Sequence, residues 1–156
     1  MSTTGLEVFD KTLQETNHWL KLMMGELGTD NRSVAFAALR ASLHALRDRI
    51  GADNAVHLGA QMPMLLRGAY YEGWHPAATP TRERRLGDFI EHVEAELPKG
   101  SAINPAEAAR ACFSAMSQCL DSGRERIRSM NRISISADVS VVSAIARPTS
   151  APITAM

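Results

Sequence analysis

Apolar residues recur every three or four positions along most of this chain, and this spacing constrains the fold more than any other feature. The first stretch of apolar or small residues with this spacing consists of Leu6, Phe9, Leu13, Thr16, Leu20, Met23 and Leu27. Because an α-helix has 3.6 residues per turn, such residues share one helix face. The pattern predicts a first amphipathic helix, ended by a C-cap at Gly28.

Further helices are predicted by the same spacing together with start and stop signals. Asp30 or Asn31 can cap a second helix, and Gly51 ends it. Its apolar stripe is Ala35, Ala38, Leu39, Ser42, Leu43, Leu46 and Ile50. A short third segment opens at Asp53, and Pro63 stands at the first turn of a fourth helix, where proline is tolerated.

A break separates these helices from a second set. The sequence GWHPAATP contains three helix breakers, which predicts a non-helical linker over residues 74–80. Thr81 is then expected to cap a helix with the stripe Leu86, Phe89, Ile90, Val93 and Leu97. Asn104, Pro105 and Glu107 have the cap, N1 and N3 positions of a last helix start.

The two sets of helices follow the same order and align with each other. A shift of 73 residues places Asn31 on Asn104, Ala35 on Ala108, Leu39 on Cys112 and Leu43 on Met116. The chain is therefore predicted to be an all-α helical bundle, one domain over residues 1–132 built from two related units of three to four helices. Repeat one covers about 4–73 and repeat two about 81–132.

Residues 133–156 are predicted to form a poorly ordered C-terminal tail. The run ISISADVSVV alternates as a strand would, but the chain offers no partner strand, and RPTSAPITAM cannot bury enough surface to order itself. The core of the remaining body is predicted to consist of Leu6, Phe9, Leu13, Leu39, Leu43, Leu46, Phe89, Ile90, Val93, Phe113 and Met116.

Charge and composition exclude several classes of protein. Seventeen basic residues balance seventeen acidic ones, so no net field draws the chain to nucleic acid or lipid. The start lacks a signal peptide, and no stretch has the about 18 uncharged residues that a membrane span requires, so we expect a cytoplasmic protein. Cys112 and Cys119 lie about 10 Å apart along one helix, too far for a disulfide, and should be reduced core residues.

One pair of residues has the spacing of metal ligands. Glu15 and His18 form an E-x-x-H pair on one helix face. A di-iron site would need a second such pair and two more glutamates, and Asp88, Glu91 and His92 have the wrong spacing. A solvated helix face is favoured, and we expect no metal site.

Catalytic signatures are missing from the sequence. It has no G-x-S-x-G, H-E-x-x-H or phosphate-binding loop, so no catalytic residue and no cofactor is predicted. His44, His57 and His92 lie off the apolar stripes and are expected to be ordinary exposed histidines. The basic runs at 82–85 and 124–132 each contain a glutamate and lack interleaved aromatics, so nucleic-acid binding is not expected.

An aromatic corner, defined as Arg67, Tyr71, Trp74 and His75, is the candidate binding site. Both tyrosines and one of the two tryptophans of the chain lie within residues 70–74. On the structural interpretation, which we favour, a left-handed Gly73 folds the indole back on the preceding turn. On the functional interpretation, the four residues line a cleft between the halves, because aromatic and arginine anchors favour interfaces.

The segment QMPMLLRGAYYEGW over 61–74, with His75, Pro76, Pro80 and Arg84 ahead of Phe89, resembles a bacterial family known as domain of unknown function 2267. The resemblance covers about residues 6–123. It implies a cytoplasmic all-helical protein of two similar halves, with no established activity, substrate or cofactor. It also implies a closing leucine-proline helix in the second half, whereas residues 124–130 here run straight into the serine-rich tail.

From these observations, the expected function is that of a non-enzymatic helical module that binds a protein partner or a second copy of itself. The surface would be the aromatic corner or an exposed helix face. The alternative is a small-molecule-binding protein or enzyme with its site at the same corner.

Overall fold

The computed structural model describes residues 2–82 and 84–121, and within them the chain is helical, without strands. The six α-helices are α1 (Glu7–Leu27), α2 (Arg32–Arg49), α3 (Ala52–Ala60), α4 (Met64–Tyr71), α5 (Leu86–Glu96) and α6 (Pro105–Asp121). The predicted all-α fold is therefore confirmed over this part of the chain. None of these helices is both long and apolar enough to cross a membrane.

Helix α2 lies at the centre and packs against all five other helices. Its small residues Ala35, Ala38, Ala41 and Ala45 are fully buried. Because alanine projects little beyond the backbone, neighbouring helices can approach α2 from several sides. The outer helices also contact one another, with α6 packed on α1 and α5, and α4 packed on α1 and α3.

Three of the predicted helix ends are confirmed. Gly28 ends α1 in the left-handed conformation, with φ of 62°, which glycine adopts without steric cost. Asn31 caps α2 by accepting hydrogen bonds from the backbone N–H groups of Ser33 and Val34. The Asn104 side chain does the same at α6, accepting from the N–H groups two and three residues on.

Two predictions in the linker region are wrong. Thr81 does not cap a helix, because no helix begins until five residues later, at Leu86. Its backbone N–H donates to Asp48 O at 2.8 Å and ties the chain to the end of α2. Helix α5 begins at Leu86 instead, where the Asp88 carboxylate accepts from the N–H of Arg85 at 3.3 Å. The linker is also not wholly non-helical, since Pro76–Ala78 forms one 3-10 turn.

The predicted core is confirmed in its centre and wrong at one end. The buried members are Leu39, Leu43, Leu46, Phe89, Val93 and Phe113, while Leu13, Ile90 and Met116 are partly buried. Leu6 and Phe9 are about half exposed. The buried positions of α1 begin only at Thr12 and include Trp19, which lies off the predicted stripe. Periodicity identifies the apolar side of a helix, but not how much of its length other elements cover.

The predicted end of repeat two over 122–132 and the predicted tail over 133–156 lie outside the described residues. Within them, neither cysteine forms a disulfide, as expected. Cys112 is fully buried, and burial raises the pKa of its thiol well above the usual range. Cys119 is partly buried, and desolvation raises its pKa to about 11.

Candidate functional site

The guanidinium group of Arg67, in the aromatic corner, donates hydrogen bonds to backbone carbonyls of the protein itself. Its Nε donates to Gly59 O at 2.9 Å, and its Nη2 donates to Ala60 O at 3.3 Å and to Met62 O at 2.9 Å. These carbonyls belong to the last turn of α3 and the following loop, where a helix leaves its C=O groups without intrahelical partners. Arg67 therefore caps α3 from α4.

Tyr71 and Trp74 stack on each other beside Arg67. Their ring centroids are 5.5 Å apart with an angle of 27° between the planes, and the Tyr71 hydroxyl donates to Val56 O at 3.4 Å. Gly73 is left-handed, as predicted, with φ of 67°. Trp74 is partly buried and His75 is exposed. The structure thus gathers Arg67, Tyr71 and Trp74 at the end of α4, while His75 follows them at the surface.

A buried polar cluster on α2, which the sequence interpretation missed, lies next to this corner. His44 is only 2% exposed, so its predicted exposure is wrong, whereas His57 is exposed as predicted. One ring nitrogen of His44 lies 2.7 Å from Ala69 O in α4, and the other lies 3.0 Å from the Glu96 carboxylate of α5. The ring can be buried because both of its nitrogens have hydrogen-bond partners inside the protein.

Arg47 extends this cluster by one turn. It is 3% exposed, and its Nη1 donates to Tyr70 O at 2.7 Å and to Glu72 O at 3.1 Å. Its Nε donates to the Asp48 carboxylate at 2.7 Å. The same carboxylate lies 3.6 Å from His92. His92 is partly buried, so its predicted exposure is also wrong. The side chains of α2 therefore cap the C-terminal end of α4.

A signal for this cluster was present in the sequence. Arg40, His44 and Arg47 are spaced by four and three residues, so they share one face of α2. Arg40 completes the row by forming an ion pair with Glu72 at 3.0 Å. The row contacts the C-terminal end of α4 through Ala69 O, Tyr70 O and Glu72.

A groove of about 520 Å³ runs between α1, the α3–α4 loop and the last turns of α6. Glu15 and His18, the E-x-x-H pair, lie on its α1 side together with Trp19. Cys119 lines it from α6. Within the described residues, no group of three or more His, Cys, Asp or Glu is placed to hold a metal ion. The groove, which we call the α1/α6 groove, has the volume of a ligand site without metal ligands.

An exposed apolar surface lies on α1 and α4. Thr12 Oγ1 accepts from the backbone N–H of Leu65 at 2.9 Å, which joins the second turn of α1 to the start of α4. Around this contact, four apolar side chains are about half exposed, and we name them the α1/α4 surface: Val8, Phe9, Met64 and Leu65. Exposed apolar side chains grouped in this way mark interaction sites more often than scattered ones do.

Comparison with known proteins gives one family. Residues 16–129 match the family model described as an uncharacterized conserved protein (DUF2267), which confirms the resemblance inferred from 61–74. No curated protein matches the chain.

Proposed function

We propose that the chain, which belongs to the DUF2267 family of uncharacterized conserved proteins, is a non-enzymatic helical module that binds one amphipathic helix of a protein partner. The observation that carries the proposal is the α1/α4 surface, where Phe9 is 48% exposed and Leu65 is 51% exposed next to a tight contact between their helices. An amphipathic helix buries its apolar face in such a surface, with anchors every three or four residues.

Charge supports a partner helix with basic edges. The first turns of α1, over residues 7–15, carry Glu7, Asp10 and Glu15 against a single cation, Lys11, which pairs with Glu15 at 4.0 Å. Acidic groups beside an apolar surface favour a partner whose apolar face is flanked by lysine or arginine, since complementary charge speeds encounter and selects among partners.

A synthetic helical peptide tests this proposal directly. The probe has a leucine face with lysine edges, and a peptide of the same composition in scrambled order serves as its control. We expect fluorescence anisotropy to show saturable binding of the ordered peptide to the full chain. Phe9→Ser and Leu65→Ser should each weaken binding by about tenfold or more, as anchor residues do.

Leu86→Ser is the matched protein control. Leu86 is 42% exposed on α5, so it resembles Leu65 in type and exposure but lies outside the α1/α4 surface. Its replacement should leave the affinity unchanged. Equal binding of the ordered and scrambled peptides, or equal weakening by Leu86→Ser and Leu65→Ser, would contradict the proposal.

The aromatic corner is the alternative contact surface. Because Arg67 caps α3 and Tyr71 stacks on Trp74, we expect Arg67→Ala to lower the melting temperature without changing peptide affinity. A loss of affinity at unchanged stability in Arg67→Ala or His75→Ala would move the binding site to this corner.

A small-molecule site is the second candidate function, and the α1/α6 groove favours it, because about 520 Å³ lies within the range of ligand pockets. A thermal-shift screen against common metabolites separates the two classes. A ligand at a hundredfold excess over its Kd adds about 2.7 kcal/mol to the free energy of unfolding. A specific shift that is lost in His18→Ala, a change to an exposed residue of the groove, would favour the small-molecule function.

We further infer that the chain consists of two related halves and works in a bacterial cytoplasm. The equivalent Asn31 and Asn104 make the same pair of capping hydrogen bonds, which supports the repeat.

A further inference from the structure

We propose that a groove between the starts of α2 and α6 binds a small organic amine, whose aliphatic chain lies in the groove and whose ammonium group pairs with Glu107. We call this site the α2/α6 groove. Its volume is about 460 Å³, which lies within the range of small-molecule sites. The groove is separate from the α1/α6 groove, and its function is additional to partner binding at the α1/α4 surface.

The walls of the α2/α6 groove are largely apolar. The end of α1 and the first two turns of α2 supply Leu27, Val34 and Ala37, and the loop between α5 and α6 supplies Pro98 and Ile103. All of these except Pro98 are partly buried. Because transfer of an aliphatic chain out of water onto such walls is favourable, the groove suits the apolar part of a ligand.

Glu107 gives the groove its charge. Among the described residues that line the groove, it is the only one with a charged side chain. Within the same part of the chain, its carboxylate has no hydrogen-bond or ion-pair partner. A shift of 73 residues places Val34 on Glu107, so equivalent positions of the two helices supply an apolar and an acidic side chain. The groove therefore fits a ligand with an apolar chain and a cationic end.

The two helix starts at the groove disfavour an anionic ligand. The Asn31 side chain accepts from two backbone N–H groups at the start of α2, and the Asn104 side chain accepts from the N–H groups of Ala106 and Glu107. These are the groups with which a helix start binds an anion. Because the caps already use them, and because the Glu107 carboxylate repels anions, the charged end of the ligand should be a cation.

Hexylammonium, hexanol and hexanoate test the site as three probes with the same chain and different end groups. In NMR titrations of the isotope-labelled full chain, hexylammonium should shift the amide signals of Leu27, Val34 and Ile103. It should bind about threefold more tightly than hexanol, as expected for a partly exposed charge pair. Hexanoate should bind most weakly. Shifts confined to the α1/α4 surface, or equal affinities of the three probes, would overturn the proposal.

Glu107→Gln removes the charge and nearly keeps the shape of the side chain. It should weaken hexylammonium binding by about threefold and leave hexanol binding unchanged. Glu94→Gln is the matched control, because Glu94 is also exposed but lies on α5, away from the groove lining. This variant should leave both affinities unchanged. Equal weakening by the two variants would overturn the proposal, since net charge alone would then explain the effect.

Ala37→Leu tests whether the apolar chain enters the groove. The larger side chain should occupy part of the volume and weaken the binding of hexylammonium and hexanol alike. Unchanged affinities of both probes in a folded variant would overturn the proposal. The comparison of Glu107→Gln with Glu94→Gln decides the question if Ala37→Leu does not fold.

A lysine side chain of another protein is a second source of the same ammonium chemistry. The blocked amino acid acetyl-lysine methylamide represents it as a probe. Its shorter aliphatic chain buries less apolar surface, so it should bind about tenfold more weakly than hexylammonium. Equal or tighter binding of the lysine probe would overturn the assignment of a free amine, in favour of a peptide ligand.

Discussion

His44 connects three helices through a single side chain. The residue belongs to α2. One ring nitrogen contacts the Ala69 carbonyl of α4, and the other contacts the Glu96 carboxylate of α5. Both ring nitrogens therefore have a hydrogen-bond partner on another helix, although the residue itself is buried. At the scale of the residue, the buried polar contacts specify how α4 and α5 sit on α2.

Replacing His44 with alanine should cost about 2 to 4 kcal/mol of unfolding free energy, because it leaves Ala69 O and the Glu96 carboxylate without their donor. Urea denaturation measures this. His57→Ala is the control, since His57 is exposed, and its cost should stay within about 0.5 kcal/mol. Equal costs for the two variants would contradict the role of His44 as a connector.

Asp10 should titrate below its ordinary value. The hydrogen bond from the Ser2 hydroxyl is the largest cause of the lowered pKa, desolvation opposes it, and hydrogen bonds from Thr4 and Thr3 add to the lowering. A carboxylate with a lowered pKa stabilises the fold above its unfolded pKa of 3.8, and this contribution is lost as pH falls through the folded pKa. In an NMR titration, Ser2→Ala should raise the pKa of Asp10. An unchanged pKa would show that the N-terminal residues do not hold this carboxylate.

At the scale of elements, α3 and α4 form a pair held together by close packing. Tyr71 lies directly over Gly59, so that a Cβ at this position would overlap the tyrosine hydroxyl and lie 2.6 Å from its ring carbon Cζ. Tyr70, fully buried, donates from its hydroxyl to Ala55 O at 2.8 Å. Burial raises the pKa of Tyr70 well above its usual value. Consecutive tyrosines thus anchor α4 to two points on α3.

Gly59→Ala should therefore destabilise the protein by about 1 to 3 kcal/mol, as overpacking does. Gly68→Ala is the matched control, because Gly68 lies in α4 with open space around the added methyl group. That substitution should stabilise the helix by about 0.5 to 1 kcal/mol. In the Tyr71→Ala background, the cost of Gly59→Ala should nearly vanish. Thermal melts of the four variants test this coupling, and additive costs would show that Tyr71 does not pack on Gly59.

At the scale of the whole molecule, the fold is arranged around α2. Every other described helix contacts it, and its buried side includes both apolar and charged residues. Helix α1, by contrast, is buried only from Thr12 onward. The stability of the molecule should therefore depend on the middle of α2 more than on the start of α1, whose apolar side chains are about half exposed.

This arrangement predicts unequal costs for two apolar truncations. Leu43→Ala in α2 should cost about 2 to 5 kcal/mol because it leaves a cavity in the core. Phe9→Ala in α1 should cost less than about 1 kcal/mol, because the ring is 48% exposed and its removal leaves no closed cavity. Chemical denaturation of both variants is the measurement. A larger loss in Phe9→Ala would show that the start of α1 is part of the core.

The sequence by itself determined the helices, several of their ends and the central core. Asn31 and Asn104 signal helix starts through local hydrogen bonds, and Leu39, Leu43 and Phe89 belong to periodic stripes, so neighbouring sequence carries this information. The aromatic corner was also recognisable as a unit, since Arg67, Tyr71 and Trp74 lie close together in the chain as well as in space.

Only the tertiary structure decided which of these features face one another. His44 lies beside charged residues in sequence, yet its oxygen acceptors come from residues 25 and 52 positions away. Glu15, His18 and Cys119 meet at one groove because α6 returns to α1. Phe9 is exposed because the covered length of α1 is set by where other helices lie. Periodicity reports the sides of a helix, whereas burial depends on the long-range packing of helices against it.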